Sequence, residues 1–329
     1  MLDQTHDPIP AVADPLTEAL QFLRMAGVFY CRSELTSPWS LGLPPMPDCV
    51  WFHVITAGSC VLVDDEGTEH HARRGDLVVF PHGAGHRATD DPSLDPALVM
   101  ELPHEYLSPH YAVLRHGGDG ERTDLVCGAV RLAHPAARDL LAVLPPAIRV
   151  DPSTDRRALE WLPGILGMIA AETAEPRPGG EAVVTRLCDI LVISAIRSWI
   201  DTDPAARTGW LGALHDPQIG RAVALVHRHP ERDWTVAELA STVAMSRSAF
   251  AARFKELVGD GPMRYVTRWR MNVATDLLRE EGLTVAQAGA RLGYASEAAF
   301  SRAYRRTTGT APGAVRRSGP LDLGRAQLG

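Results

Sequence analysis

The sequence lacks the features that define several broad classes of protein. Its most apolar helical stretch, residues 183–200, contains Arg186, Asp189 and Arg197, which excludes a membrane span. Residues 1–15 are acidic and rich in proline, without the basic-then-apolar order of a signal peptide, so we expect a cytoplasmic protein with no membrane partner. Five cysteines in 329 residues are too few for a disulfide scaffold. A content of 45% hydrophobic and 22% charged residues excludes a disordered chain.

Residue groups that carry out catalysis are also missing from the sequence. Neither paired carboxylates nor a nucleophile beside a base can be recognised in it. We therefore predict that the chain is not an enzyme, and we expect no cofactor.

The charge of the chain is unevenly distributed. The net charge is -7, but residues 1–216 carry -14 and residues 217–329 carry +7. A basic C-terminal third attached to an acidic body predicts a module that binds a polyanion.

The basic third contains an internal repeat with an offset of 50 residues, which indicates one supersecondary unit used twice. Each copy predicts a helix, a short turn and a second helix. Thr235 is the expected N-cap of the first helix, and Ser246 and Ser296 are the expected N-caps of the second helices. Ala240 and Ala290 would let the paired helices approach closely. The matched pairs are Ala240/Ala290, Ser246/Ser296, Ala249/Ala299, Phe250/Phe300, Phe254/Tyr304, Lys255/Arg305, Gly259/Gly309 and Pro262/Pro312.

A single helix is predicted between the two copies, over residues 262–281. At 1.5 Å per residue it would be about 30 Å long, close to the roughly 34 Å of one DNA turn. Two recognition helices on such a spacer could enter successive segments of the major groove.

The stretch from Trp234 to Pro312 resembles the DNA-binding domain of the AraC/XylS family of transcriptional regulators. Its strongest part is the pattern GY-x-S-x-x-x-F-x-R-x-[FY]-[KR], which is followed by G-x-x-P. The resemblance implies that the second helix of each copy contacts DNA, with Ser246, Arg247, Ser248, Ala251 and Ala252 exposed in the first copy and Ser296, Glu297, Ala298, Ser301 and Arg302 exposed in the second.

These exposed residues differ in what they can contact. Alanine at positions 251 and 252 can touch a thymine methyl group but cannot hydrogen-bond to a base. We therefore expect Arg247 and Arg302 to read bases. The expected phosphate contacts are Arg253, Lys255, Arg305 and Arg306.

The acidic part contains short alternating segments separated by glycine and proline, which predict strands over residues 50–55, 60–63 and 77–80. The segment GDLVVFPHGAGH, residues 75–86, matches the second cupin motif, so this part resembles a cupin barrel. The first cupin motif is degenerate. His53 and His86 are candidates for binding a ligand or a divalent metal, although a catalytic zinc site usually has three protein ligands. The alternative is that these histidines are satisfied by hydrogen bonds.

Cysteines provide a second feature of the acidic part. The sequence around Tyr30–Cys31 and the late V-C-G segment at Cys127 resemble the AraC subgroup that carries a cupin sensor. In some members of that subgroup the corresponding cysteines form a redox pair, so the resemblance implies this role for Cys31 and Cys127. The alternative is that each is a small buried apolar residue.

The predicted fold class is a multidomain α+β protein. It comprises a cupin-like β-barrel of the jelly-roll type, a central helical segment, and an all-α C-terminal domain with two helix-turn-helix units. The predicted divisions are a flexible N-terminus (1–14), the cupin-like domain (15–148), a helical pair that is the candidate dimer interface (149–200), a linker (201–217), the DNA-binding domain (218–317) and a mobile tail (318–329).

The predicted function is a transcriptional regulator that binds double-stranded DNA at specific sequences and responds to a small molecule or an oxidant. We expect a homodimer, and RNA polymerase is the expected partner if the protein is an activator. Two alternatives remain open at this point. One is a metal-dependent cupin enzyme fused to a DNA-binding domain, and the other is an architectural DNA binder with a vestigial sensor.

Overall fold

The computed structural model describes residues 25–47, 49–108, 110–132, 141, 143–174, 177–207, 209–279 and 281–317. These residues form two compact units, divided between residues 206 and 207. The flexible N-terminus predicted over residues 1–14 and the mobile tail predicted over 318–329 lie outside the described residues.

The N-terminal unit is built from two β-sheets. One sheet has seven strands in the order β12-β6-β3-β11-β1-β10-β9, and the other has five in the order β5-β4-β7-β2-β8. The strands are β1 (Met25–Thr36), β2 (Ser40–Leu43), β3 (Cys49–Ala57), β4 (Ser59–Val63), β5 (Glu69–Arg73), β6 (Leu77–Phe80), β7 (His86–Thr89), β8 (Ala97–Leu98), β9 (His104–Ser108), β10 (Tyr111–Gly117), β11 (Arg122–Leu132) and β12 (Ile148–Val150).

Apolar side chains from both sheets meet in one core. Trp51 and Phe80 belong to the seven-stranded sheet, Leu62 belongs to the five-stranded sheet, and all three are buried in the same cluster. β3 has seven consecutive buried residues because it lies inside its sheet, whereas the edge strand β5 is largely exposed. The described strands therefore form two facing sheets, and they do not join into the closed barrel that the sequence predicted.

Two long helices complete the N-terminal unit, α1 (Arg156–Ala174) and α2 (Gly180–Thr202). They pack against each other, and α2 also contacts β12, β6 and β1. The Ser198 hydroxyl donates a hydrogen bond to Asp155, and Arg157 pairs with Asp201, so polar contacts tie the start of α1 to the end of α2. None of the helices in the described ranges is long and apolar enough to cross a membrane.

The described C-terminal unit is helical. Its long central helix ends at Arg279, two residues before the predicted end at residue 281. The helices are α3 (Gly209–His215), α4 (Ile219–Arg228), α5 (Val236–Thr242), α6 (Arg247–Val258), α7 (Pro262–Arg279), α8 (Val285–Arg291), α9 (Glu297–Thr308) and α10 (Pro312–Arg317).

The two helix-turn-helix units are α5–α6 and α8–α9. The predicted caps are confirmed: Thr235 caps α5, while the Ser246 and Ser296 hydroxyls accept hydrogen bonds from backbone N–H groups at the starts of α6 and α9. α5 and α8 both begin with a capping box, in which Thr235 pairs with Glu238 and Thr284 pairs with Gln287.

One predicted equivalence between the copies is wrong. Ala290 is exposed, whereas Gly289 is buried and takes the place that Ala240 has in the first copy. The reason is that four residues, 292–295, separate α8 from Ser296, while only three, 243–245, separate α5 from Ser246. The first helices of the copies therefore align with an offset of 49, and the second helices with an offset of 50.

Candidate DNA-binding surface and sensor site

The second helices of the two copies present a row of basic side chains to solvent. Among the described residues, Arg247, Lys255, Arg302, Arg305 and Arg306 are exposed and none of them makes an ion pair. The predicted polar positions Ser246, Ser248, Ser296 and Glu297 are also exposed, as is Ala252, while Ala251 and Ser301 are half-buried. The two helices can thus offer unpaired cations to a polyanion.

Arg253 differs from its basic neighbours. Its guanidinium lies 3.1 Å from the Asp216 carboxylate and 3.5 Å from that of Glu256. Burial alone would raise the pKa of Asp216, but the Ile219 and Gln218 N–H groups and then Arg253 lower it below its ordinary value. Arg253 therefore ties α6 to the carboxylate that accepts hydrogen bonds from the N–H groups at the start of α4.

The turn between α8 and α9 explains why the GY pattern contains a glycine. Gly293 has φ of +79°, and a Cβ added there would lie 2.4 Å from the carbonyl oxygen of Glu231. Tyr294 packs edge-on against Phe300, with the ring centroids 5.4 Å apart. Arg270 of α7 donates hydrogen bonds to the carbonyls of residues 230 and 232 and lies 5.6 Å from the Tyr294 ring centroid. The loop before α5 thus packs closely against the turn between α8 and α9.

Cys31 and Cys127 lie directly opposite each other on the adjacent antiparallel strands β1 and β11. Both are buried and unbridged. The Ser33 hydroxyl lies 3.6 Å from the Cys31 sulfur and 4.0 Å from the Cys127 sulfur, so one hydroxyl serves both thiols. The register of the two cysteines suits a cross-strand disulfide. A disulfide requires Cα atoms about 4.4–6.8 Å apart, and directly opposite residues on paired strands meet that range.

The two thiols differ in acidity. The Cys127 thiol lowers the pKa of Cys31 most strongly, burial opposes it, and His104 and Ser33 lower it further, to about 5. Cys127 is affected in the opposite direction: its contact with Cys31 and its burial raise its pKa. Since a thiolate is the reactive form of cysteine, Cys31 is the sulfur prepared to react.

Gly128, which follows Cys127, provides space on the other face of β11. A Cβ at this position would lie 2.8 Å from atoms of both Tyr30 and Phe52. The glycine of the V-C-G segment therefore allows two aromatic rings to pack behind the cysteine pair.

His53 and His86 also come together. Their Nε2 atoms are 2.6 Å apart, and the His86 Nδ1 donates a hydrogen bond to the Ala84 carbonyl 3.1 Å away. His86 Nε2 is therefore an acceptor, and His53 Nε2 donates to it. Burial lowers the pKa of His86 to about 4, and burial together with the neighbouring His86 lowers the pKa of His53, so both rings are neutral at pH 7.

These histidines do not fit the metal site of a cupin enzyme. Their Nε2 atoms are directed at each other, and no group of three His, Cys, Asp or Glu side chains in the described ranges could hold a metal ion. Large side chains fill the space around them, since Trp51 and Phe80 both contact the His86 ring. The arrangement is that of hydrogen-bonded histidines in a packed core.

Comparisons with known proteins match both units. The family described as "Cupin" matches residues 14–201, and the one described as "Helix-turn-helix domain" matches residues 239–318. An AraC-like transcription regulator of Streptomyces lividans is 31% identical over 309 residues, which cover 92% of this chain and 98% of the relative. This chain is an AraC-type transcriptional regulator with a cupin domain.

Two further relatives of this AraC-type regulator have individual names. The HTH-type transcriptional regulator AlkR of Acinetobacter baylyi is 31% identical over 79% of this chain and 85% of its own length. The RCS-specific HTH-type transcriptional activator RclR of Escherichia coli is 28% identical over 92% of this chain and 97% of its own. These names point away from an enzyme, and the AraC-type domain implies binding to double-stranded DNA.

The sequence predictions did not include three residues that contact the predicted site residues of this AraC-type regulator: Ser33, His104 and Asp216. Ser33 could have been found, because it follows Cys31 by two residues and therefore lies on the same face of a strand. His104 and Asp216 contact residues 73 and 37 positions away along the chain, and no local pattern indicates such contacts.

Proposed function

We propose that this AraC-type regulator is a thiol-based transcription factor, in which oxidation of Cys31 and Cys127 changes its affinity for specific DNA sites. The observation that carries the proposal is the position of Cys31 opposite Cys127, with Ser33 beside both sulfurs. The helix-turn-helix pair supplies the DNA contacts, and the cupin domain supplies the sensor.

On the DNA side, the exposed basic residues divide into two groups. Arg247 and Arg302 lie in the first half of their helices, where a recognition helix meets base edges. Lys255, Arg305 and Arg306 lie further along the helices and would contact phosphates.

The redox step uses a hydroperoxide as the representative oxidant. Two thiols and one hydrogen peroxide give one disulfide and two water molecules: the sulfur atoms are oxidised, and the O–O bond is reduced and broken. The first product is a sulfenic acid on Cys31. Cys127 then attacks that sulfur, the S–O bond breaks, and the hydroxyl group leaves as water with the Cys127 proton. Since both thiols are buried, the oxidant must be small.

A route for the signal exists within the N-terminal unit. A disulfide would fix the spacing of β1 and β11, and α2 packs against β1. The new bond would therefore act on the helix that ends at Thr202, close to the start of the C-terminal unit in the sequence. We further propose that α1 and α2 form the interface of a homodimer, because both expose large apolar side chains. RNA polymerase is the proposed partner if the regulator is an activator.

The decisive experiment is fluorescence anisotropy with DNA from upstream of the regulator's own gene. Binding is measured for the reduced and the peroxide-treated protein, with a scrambled duplex and a salt series. Cys31→Ser tests the proposed site, and Cys60→Ser is the matched control, because Cys60 is buried in the same core and its burial raises the pKa to about 12.

We expect sequence-selective binding that responds to peroxide in the wild type and in Cys60→Ser, but not in Cys31→Ser. Selective binding that is indifferent to oxidant would contradict the redox proposal and favour a small ligand. Binding without sequence selectivity would contradict the proposed regulator and favour an architectural DNA binder.

A further inference from the structure

His104 lies on the same face of the seven-stranded sheet as the cysteine pair. It pairs with Leu114 across β9 and β10, and Leu114 pairs with Ser33 across β10 and β1. Side chains that pair across neighbouring strands lie on the same face of the sheet. Cys31 lies on that face too, because it is two residues from Ser33 along β1. The His104 ring packs edge-on against Phe29, with the centroids 6.0 Å apart. The strand register thus places the imidazole on the face of the sheet that carries the Cys31 thiol, and the lowered pKa of Cys31 agrees with its influence on that thiol.

The orientation of this ring leaves one nitrogen able to accept a proton. His104 Nδ1 is 2.7 Å from the Leu102 carbonyl oxygen, which can only accept, so Nδ1 carries the proton in the neutral ring. Nε2 is buried and has no hydrogen-bond partner among the described atoms. Its lone pair is therefore available for the proton of a neighbouring acid.

The arginine and glutamate side chains of β1, β9 and β10 point away from Cys31. On the inner face β10 contributes Ala112, Leu114 and His116, and β11 contributes Cys127, which pairs with His53 of β3. The charged side chains of the same strands alternate with these residues, project from the opposite face and pair with one another: Arg32 with Glu34, and Arg115 with Glu34 and Glu105.

We propose that His104 is the base that takes the Cys31 proton, so that Cys31 rather than Cys127 is the thiolate that attacks the oxidant. The inference rests on the proposed redox function and adds the group that prepares the thiolate. The S–H bond of Cys31 breaks and its proton moves to His104 Nε2. The thiolate then attacks a hydroperoxide, the O–O bond breaks, and the departing oxygen takes the imidazolium proton. Cys127 resolves the sulfenic acid as described above.

The acidities of the two groups agree with this transfer. Contact with Cys31 raises the pKa of His104 above its ordinary value, although partial burial opposes the change. Cys31 is a thiolate above a pKa of about 5, and Cys127, burial, His104 and Ser33 together determine that value. Loss of His104 would move the Cys31 pKa part of the way back towards the roughly 8.5 of a free thiol.

The first test follows peroxide oxidation of Cys31 in the full-length chain between pH 5.5 and 8.5, with alkylation of the remaining thiol and mass spectrometry. In the wild type we expect a rate that changes by less than about two-fold from pH 6 to pH 8. In His104→Gln we expect about a ten-fold loss at pH 6, which is recovered by pH 8.5, because a rise of about two pKa units would leave roughly a tenth of the Cys31 thiol ionised at pH 6. His71→Gln is the matched control, since His71 is exposed and pairs only with Glu69.

A second test does not depend on the folding of the His104 variant. The pKa of His104 is measured by NMR in the wild type and in Cys31→Ser, and the coupling requires it to fall in the variant. Parallel pH profiles for wild type and His104→Gln, or an unchanged His104 pKa, would overturn the inference. The proposed redox function fails separately, if peroxide produces no Cys31–Cys127 disulfide in the wild type.

Discussion

Arg253 and Lys255 lie two residues apart on α6, yet their surroundings give them different roles. Arg253 is held by Asp216 and Glu256, whereas Lys255 has no ion pair in the described part of the chain. A free cation that neutralises a phosphate releases a counterion, and a cation that is already paired releases fewer. Position on the helix alone therefore does not determine which residues bind phosphate.

Substitution of these two residues separates the roles. Lys255→Ala should weaken binding to cognate and scrambled DNA alike and reduce the slope of log K against log salt by about 1. Arg253→Ala should leave the slope nearly unchanged. Both are measured by anisotropy over a salt series, and equal changes in slope would show that the Asp216 ion pair opens on DNA.

If Arg302 reads a base, its substitution should give a different result. Arg302→Ala should cost about 1–3 kcal/mol on the cognate site and relax the sequence preference there, because a bidentate contact to a base edge is lost. The measurement is competition between single-base variants of the site. A uniform loss on all sequences would place Arg302 with the phosphate contacts.

At the scale of the elements, the contact of Gly293 with Glu231 holds the turn between α8 and α9 against the loop before α5. Gly293→Ala should destabilise the C-terminal unit by about 1–2 kcal/mol through the left-handed backbone alone, and by about 1–3 kcal/mol more through the collision with the Glu231 carbonyl. Gly309→Ala is the matched control, because Gly309 has φ of +77° and no neighbour within 4 Å of an added Cβ. Urea unfolding of both variants would show whether the additional loss exists.

The exposed apolar faces of α1 and α2 give a prediction about assembly. Leu159 and Met168 on α1, and Val183 and Ile190 on α2, are exposed. If these faces form the homodimer interface, Ile190→Glu should weaken the dimer, because it would bury an unpaired charge. Leu98→Glu, at an exposed apolar position on the edge strand β8 of the five-stranded sheet, should not. Sedimentation velocity over a concentration series distinguishes the two.

The sequence predicted some elements better than others. The caps Thr235, Ser246 and Ser296 could be predicted, since a cap is determined by neighbours within three residues. The predicted equivalence of Ala290 with Ala240 was wrong. The turn before Ser296 is one residue longer than the turn before Ser246, and comparing the sequence with itself at one fixed offset does not detect such an insertion. His104 could not be predicted either, because its contact with Cys31 depends on the pairing of three strands.

At the scale of the whole molecule, each unit has its own buried core. A Cys31–Cys127 disulfide closes a loop of 96 residues within the N-terminal unit alone. A loop of that size predicts a stabilisation of up to about 4.7 kcal/mol, less any strain. Calorimetry should therefore show that oxidation raises the unfolding temperature of one transition and leaves the other in place. A shift of both would show that the two units unfold together.

Lys255 is the single lysine in the sequence, and it lies exposed on α6. An amine-reactive reagent therefore finds one side chain in this protein, and that side chain is on the proposed recognition helix. Apart from the α-amine of the chain, acylation would place one reporter group, at Lys255 on the proposed DNA-facing surface, without any engineered cysteine. Protection of the same amine by bound DNA would provide a footprint of the complex that is resolved to one residue.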